Sequence, residues 1–103
     1  MSAGDAKSDP PFRIGSSART NQELRERVEF AATLGKHKEF LRALRQIMTR
    51  LQNAPNDFGE CRYELHKGKM RCHIGVLAPA AIHFAIHEES RNVIVLRVFL
   101  LGS

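Results

Sequence analysis

The segment Glu60-Cys-Arg-Tyr-Glu-Leu-His-Lys-Gly-Lys-Met-Arg-Cys-His-Ile74 has the alternating pattern of a β-hairpin. A tight turn at Lys67-Gly68 sets His66 opposite Lys69. Across the two strands, apolar residues then pair with apolar residues and polar residues with polar ones. The resulting cross-strand pairs are Cys61 with Ile74, Arg62 with His73, Tyr63 with Cys72, Glu64 with Arg71, and Leu65 with Met70. Because successive side chains point to opposite faces, one face is apolar and the other carries Arg62, Glu64, His66, Lys69, Arg71 and His73.

This sorting predicts which way the hairpin faces. The apolar side chains, Tyr63 included, are expected to point toward the interior of the domain, where they leave water. The cations and imidazoles are then expected to line the opposite, exposed surface. A basic sheet face that also carries histidine is a suitable place to hold a phosphate group.

Two helices are predicted before the hairpin. Thr20-Asn-Gln-Glu23 is a capping box that starts a helix running to about Leu34, with Leu24, Val28, Ala31 and Ala32 on its apolar face. Gly35 suits the position just past the end of this helix. The second helix runs from about His37 to Asn53, and Pro55 stops it. Its apolar stripe has helical spacing and consists of Phe40, Leu41, Leu44, Ile47, Met48 and Leu51. The short connection at Gly35 predicts an antiparallel helical hairpin.

Two further strands are predicted after the hairpin. Leu77-Ala-Pro-Ala80 is a loop, and Ile82, Phe84 and Ile86 then alternate with His83, Ala85 and His87. Glu89-Ser-Arg91 is a turn before the β-branched strand from Asn92 to Leu101. A three-residue turn sets His83 opposite Arg97 and Phe84 opposite Leu96. A two-residue turn would instead let Val93, Val95 and Phe99 face the core, and the sequence leaves both registers open.

The element order favours an α+β fold, with the N-terminal helical hairpin packed on one face of a four- to five-stranded, mainly antiparallel sheet. Phe12-Arg13-Ile14 is a candidate short edge strand after Pro10-Pro11. We expect residues 1–11 to form a flexible N-terminal tail and residues 12–103 to form a single domain.

Composition limits the functional classes. The 103 residues carry a net charge of +5, and nine Lys/Arg against four Asp/Glu between Lys36 and Arg71 account for that excess, which favours an anionic partner. No signal peptide or membrane span is expected, so the cytoplasm is the predicted location. Cys61 and Cys72 are interpreted as reduced, buried hydrophobic residues, with no metal site and no cofactor.

The pattern Leu44-x6-Leu51-x3-Pro55-x3-Gly59, the basic hairpin, the segment Ile82-His-Phe-Ala-Ile-His-Glu-Glu and the strand Val93-Ile-Val-Leu-Arg-Val-Phe99 together resemble the RelE/ParE toxin superfamily. The resemblance covers about residues 12–101. It implies a compact toxin of a bacterial toxin–antitoxin system, neutralised by an antitoxin protein that wraps the fold. Such toxins are either ribosome-dependent mRNA endonucleases, which need no metal, or inhibitors of DNA gyrase.

The chain departs from the RelE pattern at two places. Ala80-Ala81 stands where the resemblance leads us to expect a Tyr-Arg pair, and the C-terminus Leu100-Leu-Gly-Ser103 lacks the terminal Arg and Tyr. The catalytic set of a RelE-like nuclease is therefore incomplete. A divergent nuclease, a ParE-like toxin and a catalytically inactive binding module of the same fold all remain open. An unrelated small basic domain that binds nucleic acid is a further alternative.

RNA cleavage without metal needs a base for the 2′-hydroxyl, cations for the phosphorane and an acid for the leaving oxygen. The candidate catalytic residues are Arg71, His73, His83 and Arg97. The alternatives are an ion pair of Arg71 with Glu64 and ordinary sheet histidines, with His87 a solvated turn residue. Arg97 lies in an apolar strand, so its charge needs a partner or a ligand. The candidate nucleic-acid-binding residues are Arg62, Lys67, Lys69, Lys38, Arg42 and Arg45.

Overall fold

A five-stranded sheet carries two helices on one face. The computed structural model describes residues 10–65, 67 and 69–102. The sheet order is β1-β5-β4-β3-β2, with β1 parallel to β5 and every other neighbouring pair antiparallel. This arrangement confirms the predicted α+β class. The elements are β1 (Arg13–Ser16), α1 (Ala18–Thr33), α2 (His37–Asn53), a 3₁₀ turn (Pro55–Asp57), β2 (Glu60–Leu65), β3 (Met70–Leu77), β4 (Ala80–His87) and β5 (Asn92–Leu100).

Helix α1 begins earlier than the predicted capping box. Its N-cap is Ser17, whose hydroxyl accepts a hydrogen bond from the backbone N–H of Thr20 at 3.1 Å. Thr20 is buried and donates its own hydroxyl to the carbonyl of Leu96 in β5. Glu23 also turns to β5 instead of capping the helix. The capping-box prediction is wrong because Ser17 caps the helix, and Thr20 and Glu23 both bond to the backbone of β5 instead.

The end of α1 was predicted correctly. Gly35 has φ +73° and donates to the carbonyl of Ala32, while Lys36 donates to the carbonyl of Ala31 at 2.8 Å. This pair of hydrogen bonds is a Schellman motif, which uses the left-handed conformation that glycine adopts without steric cost. Ala32, expected on the apolar face, is exposed.

Helix α2 supplies most of the helical side of the core. Its observed bounds match the predicted ones. Phe40, Leu44, Ile47 and Leu51 are buried, and Leu41 and Met48 pack partly buried against them. They meet Phe58 and the core side of the sheet, which includes Ala80, Ile82, Phe84, Ile86, Val93, Val95 and Val98.

The first β-hairpin has the predicted register near its turn. Leu65 pairs with Met70, Glu64 with Arg71, and Tyr63 with Cys72. A β-bulge between Cys61 and Tyr63 then shifts the pairing, so that Cys61 lies opposite His73 and Glu60 opposite Ile74. The two pairs predicted beyond Tyr63 are therefore wrong. A bulge adds one residue to one strand and leaves no marker in the alternation.

The predicted orientation of this hairpin is reversed. Arg71 lies opposite Ile86 and His73 opposite Phe84, and both of these β4 residues face the helices. Arg71 and His73 therefore share the core side of the sheet, and Cys72, Ile74 and Val76 lie on the other side. β3 faces this way because of Gly75, which lies on the same face of the strand as His73. The ring of Phe58 occupies the space beside Gly75 that a side chain would fill.

The second hairpin combines the two registers that the sequence left open. His83 lies opposite Arg97 as predicted, but a bulge at Leu96 places Phe84 opposite Val95. Val93 and Val95 consequently face the core. Phe99 lies opposite Ala81 on the other side of the sheet. The turn is one residue longer than predicted, because β4 ends at His87 and β5 starts at Asn92.

The N-terminal strand follows the predicted edge strand closely. β1 pairs along β5 from Arg13 to Ser16, at the outer edge of the sheet. Of the predicted tail, residues 1–9 lie outside the described residues. In the described part of the chain, neither helix is long and apolar enough to cross a membrane.

Replacing Gly75 with alanine tests the contact that orients β3. A methyl group at this position overlaps the ring of Phe58 and must displace it. We expect Gly75→Ala to lower the free energy of unfolding by about 1–3 kcal/mol, the usual cost of overpacking a core. Gly15→Ala is the matched control, because no heavy atom lies within 4 Å of the added methyl group. Urea denaturation of both variants measures the difference, and equal stability would contradict the proposed orientation.

Candidate functional site

The sheet face opposite the helices has small residues at its centre and larger side chains beside them. Its floor consists of Cys72, Ala81 and Ala85, which are buried although neither α1 nor α2 covers this face. Its walls include exposed apolar side chains, of which Val76 is 56% exposed. The other exposed apolar residues on this face are Tyr63, Leu65, Ile74 and Ile94. Exposed apolar residues gathered on one face of a sheet are typical of interaction sites. We call this surface the trough.

A tyrosine and a histidine meet in the trough. The phenol oxygen of Tyr63 lies 3.2 Å from Nε2 of His83, and the two rings meet edge to face. Burial lowers the pKa of His83, and the charge of Arg97 lowers this pKa further. The imidazole is therefore uncharged at neutral pH and can accept a proton.

Tyr63 remains a protonated phenol under the same conditions. The neighbouring Cys72 in the trough floor raises the pKa of Tyr63 above its ordinary value. Tyr63 is the only tyrosine in the chain, and its side chain is 45% exposed. The pair thus offers a phenol that can donate and an imidazole that can accept, both open to a ligand.

Arg97 stands beside this pair, directly across from His83. Its Nε donates to both carboxylate oxygens of Glu23, at 3.0 and 3.2 Å. Its guanidinium also lies over the ring of Phe99, 5.1 Å from the ring centre. The side chain is 52% exposed. The predicted need of Arg97 for a partner is met, and the partner is a helix residue far away in the sequence.

The carboxylate of Glu23 is the most heavily bonded side chain of the site. Besides Arg97, it accepts from the backbone N–H of Val98 at 2.9 Å and from Arg27 at 3.3 Å. Burial raises the pKa of Glu23, but the Val98 N–H and the two guanidinium groups outweigh burial, so its pKa is lowered overall. Glu23 is therefore ionised at neutral pH and is only 17% exposed.

Two of the four predicted catalytic residues lie on the wrong face for this site. His73 is 4% exposed, and its Nδ1 lies 3.1 Å from the carbonyl of Phe58. No hydrogen-bond partner for its Nε2 exists among the described residues. Arg71 bonds to Asn56 and forms an ion pair with Glu88 at 3.1 Å. The expectation of one cationic face that carries both residues outward is wrong, because β3 faces the opposite way.

The ion pair expected between Arg71 and Glu64 also needs correction. The two residues are cross-strand neighbours, but the side chain of Arg71 bonds to Glu88 in the β4–β5 turn. His87 is not a free turn residue either, because its Nδ1 accepts from the backbone N–H of Ser90 at 3.2 Å and contacts the Ser90 hydroxyl at 2.7 Å. Both contacts stabilise the β4–β5 turn.

The predicted nucleic-acid-binding residues fall into two separate groups. Lys38, Arg42 and Arg45 are exposed on α2, on the side of that helix that faces away from the sheet. Arg62 lies at the bulge of β2, 3.4 Å from Glu60. The remaining two, Lys67 and Lys69, are exposed at the hairpin turn. The α2 group and the trough therefore lie on opposite sides of the molecule.

Reasoning from sequence missed two residues of the candidate site. Tyr63 was assigned to the core because the hairpin was oriented the wrong way, and Gly75 was the signal that could have corrected it. Glu23 was assigned to a helix cap, and only the unpaired Arg97 hinted at a buried acid elsewhere. Cys72 is buried as predicted, whereas Cys61 is exposed, and both are free thiols. Within the described ranges, no group of three or more His, Cys, Asp or Glu residues is placed to hold a metal ion.

The fold that carries this site is RelE-like. The structure is similar to that of an archaeal RelE-RelB complex from Pyrococcus horikoshii OT3, with a TM-score of 0.61. The match covers 88% of this chain and 96% of the other chain, at 11% sequence identity. No protein-family model and no curated protein matches the sequence. The similarity therefore defines the fold and its extent along the chain.

The electrostatic coupling in the trough can be measured on His83. We expect its NMR titration midpoint to lie below 6.5, the ordinary value for histidine, because burial and Arg97 both disfavour the imidazolium. Arg97→Met removes the neighbouring cation and should raise the midpoint. Arg45→Met removes a cation from the exposed side of α2 and serves as the control, which should leave the midpoint unchanged. A wild-type midpoint at or above 6.5 would contradict this account of the site.

Proposed function

We propose that the protein is the toxin-like component of a bacterial toxin–antitoxin system and acts through the trough. The observation that carries the proposal is a RelE-like fold, matched over almost the whole of both chains, whose open sheet face presents Tyr63, His83 and Arg97 together. The solved chain that it resembles belongs to a RelE-RelB complex. By analogy, an antitoxin protein is the expected partner here, and the cytoplasm is the expected location.

The chemistry that this site supports best is metal-independent RNA cleavage. The 2′-oxygen of the RNA attacks phosphorus while its proton passes to the uncharged imidazole of His83. Arg97 stabilises the charge on the phosphorane oxygens. The bond from phosphorus to the 5′-oxygen breaks, and that oxygen takes the proton of Tyr63. The phenolate then recovers a proton from His83 across their hydrogen bond, which restores both groups.

A second candidate is a toxin that binds a protein target, such as DNA gyrase, without cleaving RNA. The apolar character of the trough favours this candidate, because its walls are largely aliphatic and Arg97 is already paired with Glu23. A surface for nucleic acid usually carries many more cations. A catalytically inactive binding module of the same fold would use the same apolar surface.

Controlled expression tests the toxin proposal. We expect induction in a bacterial host to arrest growth and co-expression of the product of an adjacent gene to relieve the arrest. As a control for the trough variants described next, replacement of Arg25, an exposed residue of α1, should leave the arrest intact. Normal growth at high expression, with folded protein recovered from the cells, would contradict the proposal.

Variants of the trough distinguish cleavage from binding. If the protein cleaves mRNA, His83→Ala should lower the rate of cleavage on purified ribosomes by about 100-fold or more, the usual contribution of a general base. Tyr63→Phe should lower it as well, since the substitution removes the hydroxyl whose proton the leaving oxygen needs. Growth arrest that persists in both variants, with no RNA cleavage by the wild type, would favour the gyrase-type or purely binding alternatives.

A further inference from the structure

The outer edge of β5 is covered by a helix where the parallel strand stops. β1 pairs with β5 only as far as Val95, and the backbone groups beyond it need other partners. Side chains of α1 supply them: Thr20 donates to the carbonyl of Leu96 at 3.1 Å, and Arg27 donates to that of Val98 at 3.2 Å. Glu23 accepts from the N–H of Val98. The backbone of β5 therefore fixes the Glu23 carboxylate in place.

This fixed carboxylate holds Arg97 in one particular way. Glu23 bonds to Nε of Arg97, on one edge of the guanidinium plane. Neither terminal amino group of Arg97 has a hydrogen-bond partner among residues 10–65, 67 and 69–102. The packing against Phe99 limits rotation of the guanidinium plane further. The free edge of the guanidinium has the forked geometry that matches two oxygens of a phosphate group.

We propose that Glu23 is a positioning residue, which anchors Arg97 through Nε so that the two terminal amino groups bind the oxygens of a phosphodiester beside His83. This inference rests on the proposed function, because the phosphodiester is that of an RNA bound in the trough. The low pKa of Glu23 supports it, since the anchor keeps its charge throughout the neutral range. Glu23 does not touch the ligand and acts only through Arg97.

Electrostatics alone predicts the opposite result when Glu23 is removed. A carboxylate near an anion site repels the anion, so deleting the carboxylate should strengthen anion binding. Positioning predicts weaker binding, because a free arginine must lose rotamer freedom when it binds. The sign of the change in affinity therefore separates a positioning role from a purely electrostatic one.

Inorganic phosphate is a simple probe of this site. Titration of the full-length protein, followed through the NMR signals of His83 and of the Arg97 Nε–H, gives its dissociation constant. We expect Glu23→Ala to weaken phosphate binding roughly five- to tenfold, the equivalent of ordering one long side chain. Glu26→Ala is the matched control. Glu26 lies one turn along on α1, lines the same cleft between α1 and β5, and bonds only to Gln22 among the described residues. Its removal should leave the affinity unchanged or raise it.

Glu23→Gln covers the case in which the alanine variant fails to fold. Glutamine keeps an acceptor for Arg97 and Val98, but an uncharged acceptor holds a guanidinium less firmly, so Glu23→Gln should bind phosphate more weakly than Glu26→Ala. Glu23→Ala or Glu23→Gln binding phosphate as tightly as Glu26→Ala would overturn the proposal. So would a wild type that binds no phosphate, or one that binds an acidic peptide through Arg97 instead. Because none of these readouts depends on growth arrest, the positioning role and the toxin function can fail separately.

Discussion

The orientation of β3 depends on one contact, between the ring of Phe58 and the bare backbone of Gly75. Phe58 follows the 3₁₀ turn that ends α2, and its ring stacks on Phe84 at 5.9 Å beneath the guanidinium of Arg50. The ring can occupy this place only where β3 has no side chain. Because alternate residues share a face, placing Gly75 under the helices also places His73 and Arg71 there.

The cost of this orientation is visible at His73. The carbonyl of Phe58 can only accept, so Nδ1 of His73 donates to it, and Nε2 is left without a partner in the described structure. A buried unpaired nitrogen is unfavourable by about 1–3 kcal/mol. Core packing around Phe58 and Phe84 offsets this penalty. A histidine that the sequence suggests as a surface base is thus buried, with its ring 5.3 Å from that of Phe84 and its Nδ1 on the carbonyl of Phe58.

Local features of the fold were predictable, and features that depend on distant contacts were not. The bounds of α2 and the Schellman end of α1 at Gly35 follow from periodicity and turn chemistry within a few residues. The bulges at Arg62 and Leu96 shift the register without changing composition, so alternation alone could not locate them. The more apolar residues of β3, Cys72, Ile74 and Val76, lie on the face away from the helices, so hydrophobicity predicted the wrong face. The ring of Phe58, which fits only beside a residue without a side chain, determined which face of β3 lies under the helices.

The same reasoning explains why the site could be only half predicted. Arg97 was identified because an unpaired charge in an apolar strand needs a partner, which is a general requirement. The identity of that partner depends on how α1 covers the outer edge of β5, and this arrangement arises only because β1 is too short to do so. Glu23 therefore has two roles, since it accepts a hydrogen bond from the backbone N–H of Val98 at the sheet edge and also anchors Arg97. In a domain of this size the sheet edge lies next to the open face, so residues that complete the fold also shape the site.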